Sequence, residues 1–214
     1  MRSFSHWTPA YLCHRLADRY YRARNPEAPW LTPRAITYLE KALKSDFCGL
    51  EYGSGRSTTW FAQRVKSLVS VEHNPDWFNL VKADIVQKGI SNIEYHQFAK
   101  PDVAQNFQEI LESEYVQITG MIAENSLDFA LVDGVARSAC MLHSIPLLKP
   151  GGLLILDDAN HYLPCDSQAP NTRSRIDGPL DKEWEQVLQM ISNWQAVWFG
   201  NGIKETAIFT KPDA

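Results

Sequence analysis

The chain has no apolar run near the roughly 18 residues that a membrane span needs, and residues 1–7 lack the apolar core of a secretory signal. It has no surplus of positive charge either. Its 21 basic residues face 25 acidic ones, a net charge of −4. That balance gives no electrostatic reason to expect nucleic acid as a partner, and it argues against anionic membranes. Cysteine is scarce. Cys13, Cys48, Cys140 and Cys165 sit at no metal-ligand or redox spacing, which speaks against a zinc-binding or disulfide framework. They read as reduced thiols of a cytoplasmic protein. Internal repeats and low-complexity segments are missing too, which excludes a repeat architecture.

What remains is an ordinary globular composition, 44% apolar and 21% charged, and 214 residues suffice for one α/β domain with a small appendage. Residues 1–45 read as an N-terminal helical extension or lid, and residues 46–214 as the main domain. In the extension, Thr8-Pro9 and Thr32-Pro33 each place an N-cap before a proline at the first helical position. Leu12, Leu16 and Tyr20 fall on one stripe of the first helix, and Ile36, Leu39, Ala42 and Leu43 face inward on the second. The proline-bearing link at 25–30 cannot be helical.

From residue 47 strands and helices alternate. Short strands are expected at 47–52, 67–72, 92–98, 127–132 and 153–156. A helix at 74–88 turns Trp77, Phe78, Val81 and Ile85 inward, and another spans 137–148. Val103, Phe107, Ile110 and Leu111 suggest one helix within 101–125, the rest being loop. Lys149-Pro150-Gly151-Gly152 reads as a turn and 159–179 as a long loop. Asp181 caps a last helix, and strands at 195–199 and 205–210 close the chain as a hairpin. The order implies an α/β fold: a doubly wound, mostly parallel seven-stranded sheet with a C-terminal antiparallel hairpin and two N-terminal helices.

The chain is organised around the stretch from Gly49 to Thr58. An apolar strand runs into Gly53-Ser54-Gly55, and Ser57-Thr58 open a helix. Glycine lets backbone approach a ligand closely, and a helix start offers free N–H groups. In such a sheet ligands bind beyond the carboxyl ends of the strands. Those ends carry Glu72-His73, Asp133-Gly134 and Asp157-Asp158. Glu72, 17 residues after Gly55, suits a ribose diol. Glu51 lies inside an apolar strand, where a carboxylate is costly without a partner. It would repel a pyrophosphate and attract an α-amino group. The third glycine of the dinucleotide pattern is also absent, since Thr58 stands there.

Together these residues resemble a class I S-adenosylmethionine-dependent methyltransferase, of the kind acting on small-molecule oxygens. The resemblance rests on Leu50-Glu51-Tyr52-Gly53-Ser54-Gly55-Arg56-Ser57, on Val71-Glu72, on Leu127-Asp128-Phe129-Ala130-Leu131-Val132-Asp133-Gly134 and on Leu147-Leu148-Lys149-Pro150-Gly151-Gly152. It covers about residues 45–212 and implies a Rossmann-like fold with S-adenosylmethionine as cofactor. By it, Glu51 sits near the methionine end, Gly53, Ser54, Gly55 and Ser57 line the cofactor, Glu72 holds the ribose, His73 flanks the adenine and Asp133 faces the cofactor. Two departures stand out. Ser57 replaces a third glycine, and Gln97-Phe98-Ala99 lacks the acid that often meets the adenine amino group.

Some enzymes of that kind hold a divalent cation with acids at the ends of the fourth and fifth strands. Asp133 and Asp158 match those positions, with Asn160 as a neutral oxygen, although Ala159 stands where another ligand often occurs. The other reading is that Asp133 contacts the cofactor or caps a helix and that 157–160 opens a polar loop. His161 is the expected general base, with Asp133 and Asp158 as further catalytic candidates. His143 is expected on a helix surface. Arg137, Arg173 and Arg175 either hold an anionic group or face solvent. Trp7 and Trp30 are expected to line a lid, and the other tryptophans the core. The expected activity is methyl transfer to oxygen, rather than nitrogen, of a small-molecule acceptor. No nucleic acid or membrane partner is expected, and a homodimer is allowed. The alternatives are a nicotinamide-dependent oxidoreductase and a non-catalytic S-adenosylmethionine-binding protein.

Overall fold

Short apolar strands separated by helices pair in parallel, because each helix returns the chain to the same end of the sheet. The computed structural model describes residues 8–102 and 106–213. Its strands are β1 (Cys48–Tyr52), β2 (Ser67–Glu72), β3 (Ile93–Gln97), β4 (Leu127–Val132), β5 (Leu148–Leu156), β6 (Gln195–Gly200) and β7 (Glu205–Thr210). They form one seven-stranded sheet in the order β3-β2-β1-β4-β5-β7-β6. The first five pair in parallel, and β7 runs antiparallel to both β5 and β6. This is the Rossmann-like sheet with a closing hairpin that the sequence implies.

The helices are α1 (Pro9–Arg24), α2 (Pro33–Ala42), α3 (Arg56–Ala62), α4 (Pro75–Gln87), α5 (Phe107–Leu111), α6 (Glu114–Gln117), α7 (Arg137–Leu147) and α8 (Lys182–Met190). Side chains alternate between the faces of a strand, so the sheet builds two cores. Leu50 and Tyr52 of β1 pack with Cys140, Met141, Trp184 and Val187 of α7 and α8. On the other face Phe129 and Leu131 pack with Ile36, Leu39, Trp60 and Phe61 of α2 and α3. Glu51, between Leu50 and Tyr52, therefore points to the α3 face. The side-chain caps expected at Thr8, Asn74 and Asp181 are made, whereas Thr32 stands at the N-cap of α2 with no side-chain cap bond.

Four expectations need correction. The stripe on α1 does not face inward: Leu12, Leu16 and Tyr20 are 43%, 69% and 63% exposed. That face of the sheet is already largely covered by α2 and α3, so α1 docks at its margin through Tyr21 and the polar contacts of Asp18 and Arg22. Trp77 is 45% exposed, because α4 begins at the rim rather than over the core. Lys149-Pro150-Gly151-Gly152 is not a free turn. It lies within β5, held where Gly151 N donates to Lys211 O and Lys211 N to Gly152 O. The 101–125 segment folds as α5, α6 and a 3-10 turn over Ile118–Met121, broken after Leu111 by the Ser113 cap. Val103 and Trp7 lie outside the described residues. Among the described residues no helix is long and apolar enough to cross a membrane.

Candidate functional site at the switch between β1 and β4

The chain leaves β1 in one direction and β4 in the other, so a crevice opens between their carboxyl ends. Gly53 N donates to Val71 O, and Asp133 N to Tyr52 O, both at 2.9 Å. Gly53 has φ +90, and a Cβ there would come within 2.6 Å of the Gly134 backbone. A Cβ on Gly134 would overlap the Tyr115 hydroxyl and crowd Gly53 N. The two turns touch glycine to glycine, and a side chain on either would close the crevice.

Beneath the turn, Glu51 is wholly buried. Its Oε2 accepts from the Thr58 and Ser70 hydroxyls, each at 2.6 Å, while Oε1 has no hydrogen-bond partner. Thr58 in turn accepts from Gly55 N at 2.9 Å. A proton-donating chain thus runs from the glycine turn through Thr58 to the buried acid. Burial pushes the Glu51 carboxyl up to about 7, against the pull of the Ser57, Ser70 and Thr58 hydroxyls. Its raised pKa and its unpartnered oxygen fit a cationic or donating ligand.

Glu72 fixes the next turn. Its Oε2 accepts from Ser54 N and Ser54 Oγ, both at 3.1 Å, and its Oε1 from His73 N and Asn74 N, both at 2.8 Å. His73 Nδ1 lies 3.0 Å from the same Oε1. The carboxylate thereby staples the turn after β1 to the turn after β2. Trp77, at the start of α4, donates its indole N–H to Ser54 O at 2.7 Å. A cavity of about 190 Å³ lies between Trp30, Trp77, Ser57 and Asp133. A more open one of about 380 Å³ continues past Gly53, Glu72, His73 and Gly134. The cofactor-facing residues expected from sequence, Glu51, Gly53, Ser54, Gly55, Ser57, Glu72, His73 and Asp133, are all brought to this one crevice or directly beneath it.

The acids at the β4 and β5 ends also meet. Asp133, Asp157 and Asp158 bring oxygen atoms within 4.8 Å of one another, a hard donor set of the kind a divalent cation takes. Two cations of the chain already stand among them. Arg137 reaches Asp133 at 3.0 Å and Asp158 at 3.8 Å, and it donates to the Gly134 and Asp157 carbonyls. Lys204 pairs with Asp157 and lies 3.7 Å from Asp158. Asp157 also accepts from Thr206 Oγ1 at 2.7 Å. Asn160, expected as a neutral ligand, is buried and spent: Oδ1 accepts from Glu205 N, and Nδ2 donates to Pro170 O and Thr172 Oγ1. A divalent ion would have to displace Arg137 or Lys204, so the residues present do not fit one. Burial, and then Asp157, raise the Asp133 pKa above the usual carboxylate range. Burial lowers that of Lys204, but Asp157, Asp158 and Asp133 raise it on balance.

His161 is not drawn into the crevice. It lies half-buried in the 3-10 turn Ala159–His161 with its ring 6.2 Å from that of Tyr162. His143 lies on α7 beside Gln117, far from the turn in sequence and lining a different cavity. Arg173 holds its own loop through Gly178 O and Asp177 O, and Arg175 pairs with Asp166 on the surface. Thr58, Trp77, Tyr115 and Lys204 are the site residues that sequence reading missed. Thr58 alone carried a local signal, a threonine at the third position of a helix, where it can cap.

A model of the methyltransferase domain matches residues 50–159, just over half of the chain. Among solved structures, a methyltransferase-like protein from Silicibacter pomeroyi is similar at TM-score 0.55 and 22% identity over 87% of this chain and 89% of that one. A methyltransferase from Geobacter sulfurreducens gives 0.56 and 13% over 96% and 90%. An rRNA methylase from Streptococcus thermophilus gives 0.54 and 13% over 87% and 100%. These are likenesses of fold. No curated protein sequence matches the chain. The matched residues run from the strand before the glycine turn to just past Asp158, and the chain belongs to the methyltransferase domain family, with the fold of the class I S-adenosylmethionine-dependent methyltransferases.

Proposed function

We propose that the protein transfers the methyl group of S-adenosylmethionine to an oxygen nucleophile on a small-molecule acceptor. The observation that carries this reading is Glu51, a wholly buried acid with an unpartnered oxygen beneath the glycine turn. An ammonium group near it would offset the cost of the buried charge. Gly53 and Gly134 leave room for a ligand against bare backbone. Glu72 meets the ribose hydroxyls by exchanging donors it already holds, and His73 flanks the adenine.

When bound, S-adenosylmethionine supplies an electrophilic methyl group on a sulfonium whose charge vanishes on transfer. The protein's part is to align donor and acceptor and to exclude water. A hydroxyl must also lose its proton as the new C–O bond forms and the C–S bond breaks. Asp133 is the carboxylate lining both crevice cavities, and its raised pKa suits it to take that proton. A neutral amine attacks without prior deprotonation, so an acid poised at the rim favours oxygen over nitrogen. Asp158 acts through Arg137, 3.8 Å away, as a positioning residue. Thermal shift with S-adenosylmethionine, S-adenosylhomocysteine and NAD tests the donor: stabilisation by the first two supports the reading, and stabilisation by NAD alone refutes it. Asp133→Asn should transfer poorly, and the loss of transfer should exceed any loss of S-adenosylhomocysteine affinity.

A further inference from the structure

Trp30 lines two cavities. One is the crevice at the glycine turn, and the other, of about 490 Å³, is walled by Arg15, Leu16, Asp18, Arg19 and Arg22 of α1 together with Lys204, four cations to one acid. The wall is fixed in place. Asp18 accepts from Asn201 Nδ2 at 3.1 Å, His14 packs onto Gly202, where no Cβ could fit, and Arg22 donates to Leu31 O at 2.8 Å. Arg22 and Lys204 are committed to these and to the acids of the rim. Arg15 and Arg19 are not: among the described residues neither holds a hydrogen bond or an ion pair. Four residues apart, they share one face of the helix.

The charge is unusual for this chain. α1 carries four arginines and a single acid, whereas the whole protein has a net charge of −4. Guanidinium groups bind carboxylate and phosphate through paired N–H donors. Beside them the exposed Leu16 and the Trp30 indole, itself faced by Arg56 at 5.8 Å, offer a surface for a flat or apolar body. Lys204 links this groove to Asp157 and Asp158, and Arg137 links those acids to Asp133. Trp30, which lines both the groove and the crevice that Asp133 lines, sets the groove beside the rim where transfer would occur. Nucleic acid would need a longer basic track than one pair of arginines on an otherwise acidic chain.

We propose that Arg15 and Arg19 form an anion subsite for the methyl acceptor. The groove takes a small molecule bearing a carboxylate or phosphate on a flat or apolar body, with its nucleophile directed past Trp30. The proposal rests on the donor reading of the glycine turn, and the experiment separates the two. The probe is 1-anilinonaphthalene-8-sulfonate, with N-phenyl-1-naphthylamine as the same body lacking the anion, titrated into protein saturated with S-adenosylhomocysteine. The sulfonate should bind with saturation. Arg15→Gln with Arg19→Gln should weaken it about tenfold or more, leaving the neutral probe and S-adenosylhomocysteine affinity unchanged. Arg15→Lys with Arg19→Lys should restore part of the loss. Benzoate or phenyl phosphate should displace the sulfonate, the stronger competitor naming the preferred anion. Equal sulfonate binding in the glutamine variant, equal loss of the neutral probe, or displacement by neither competitor overturns the anion subsite. So does tight binding of a short single-stranded RNA that the glutamine variant loses. Failure of the wild-type protein to bind S-adenosylhomocysteine refutes the donor reading instead.

Discussion

The Thr58 hydroxyl donates to Glu51 at 2.6 Å, tying the first turn of α3 to an acid buried near the carboxyl end of β1. The same hydroxyl accepts from Gly55 N, so the shape of the glycine turn depends on the buried carboxylate below it. Glu51 is costly in the empty protein, and that cost has a pH signature. Its folded-state carboxyl is raised to about 7 from an ordinary value of 4.5. The folded state then holds the proton more tightly than the unfolded state, so stability is full below the ordinary value and falls as pH rises toward 7. Glu51→Gln keeps an oxygen for Thr58 and Ser70 and removes the charge. It should raise the stability of the empty protein at pH 8 by on the order of 1–3 kcal/mol and change little at pH 4.5. Chemical denaturation at the two pH values checks this.

Gly134→Ala should lower both the melting temperature and S-adenosylhomocysteine affinity, because its Cβ overlaps the Tyr115 hydroxyl. Adding Tyr115→Phe removes that hydroxyl and should recover part of the stability, a coupling of roughly 0.5–3 kcal/mol in a double-mutant cycle. Additive effects of the two substitutions would place the clash elsewhere.

Lys204→Met leaves the buried Asp157 without its cation and should cost about 3 kcal/mol or more. Adding Asp157→Asn removes the stranded charge and should return much of that loss. Urea denaturation of the two variants measures it, and an undiminished loss in the double variant would show that Lys204 acts by packing instead.

Arg137 and Lys204 occupy the acids at the β4 and β5 ends, so a chelator should leave the melting temperature, S-adenosylhomocysteine affinity and transfer unchanged. A rise in stability with added magnesium ion, abolished by the chelator, would contradict that geometry.

Much of the fold was legible in the sequence because its signals are local. Caps at Thr8, Asn74 and Asp181, the strand at 127–132 and the closing hairpin each sit within a few residues of their cause. Helical periodicity marks a stripe on α1 but not whether any sheet face is left to cover it. The place of Lys149-Pro150-Gly151-Gly152 within β5 depends on Lys211, and the pairing of the rim acids depends on Lys204, both distant in the chain. In the site, Glu51 was readable as an acid out of place and Glu72 as a strand-end acid suited to a ribose. Thr58 stands where the dinucleotide pattern has a glycine, yet its hydroxyl is what joins the turn to the acid.

The most direct measurement is calorimetric titration of S-adenosylhomocysteine into the wild-type protein and Glu51→Gln. The account predicts one-to-one binding by the wild type and a loss of about tenfold to a hundredfold in the variant, the range for a hydrogen bond to a charged group. No binding by the wild type, or equal affinity in the two proteins, would contradict it.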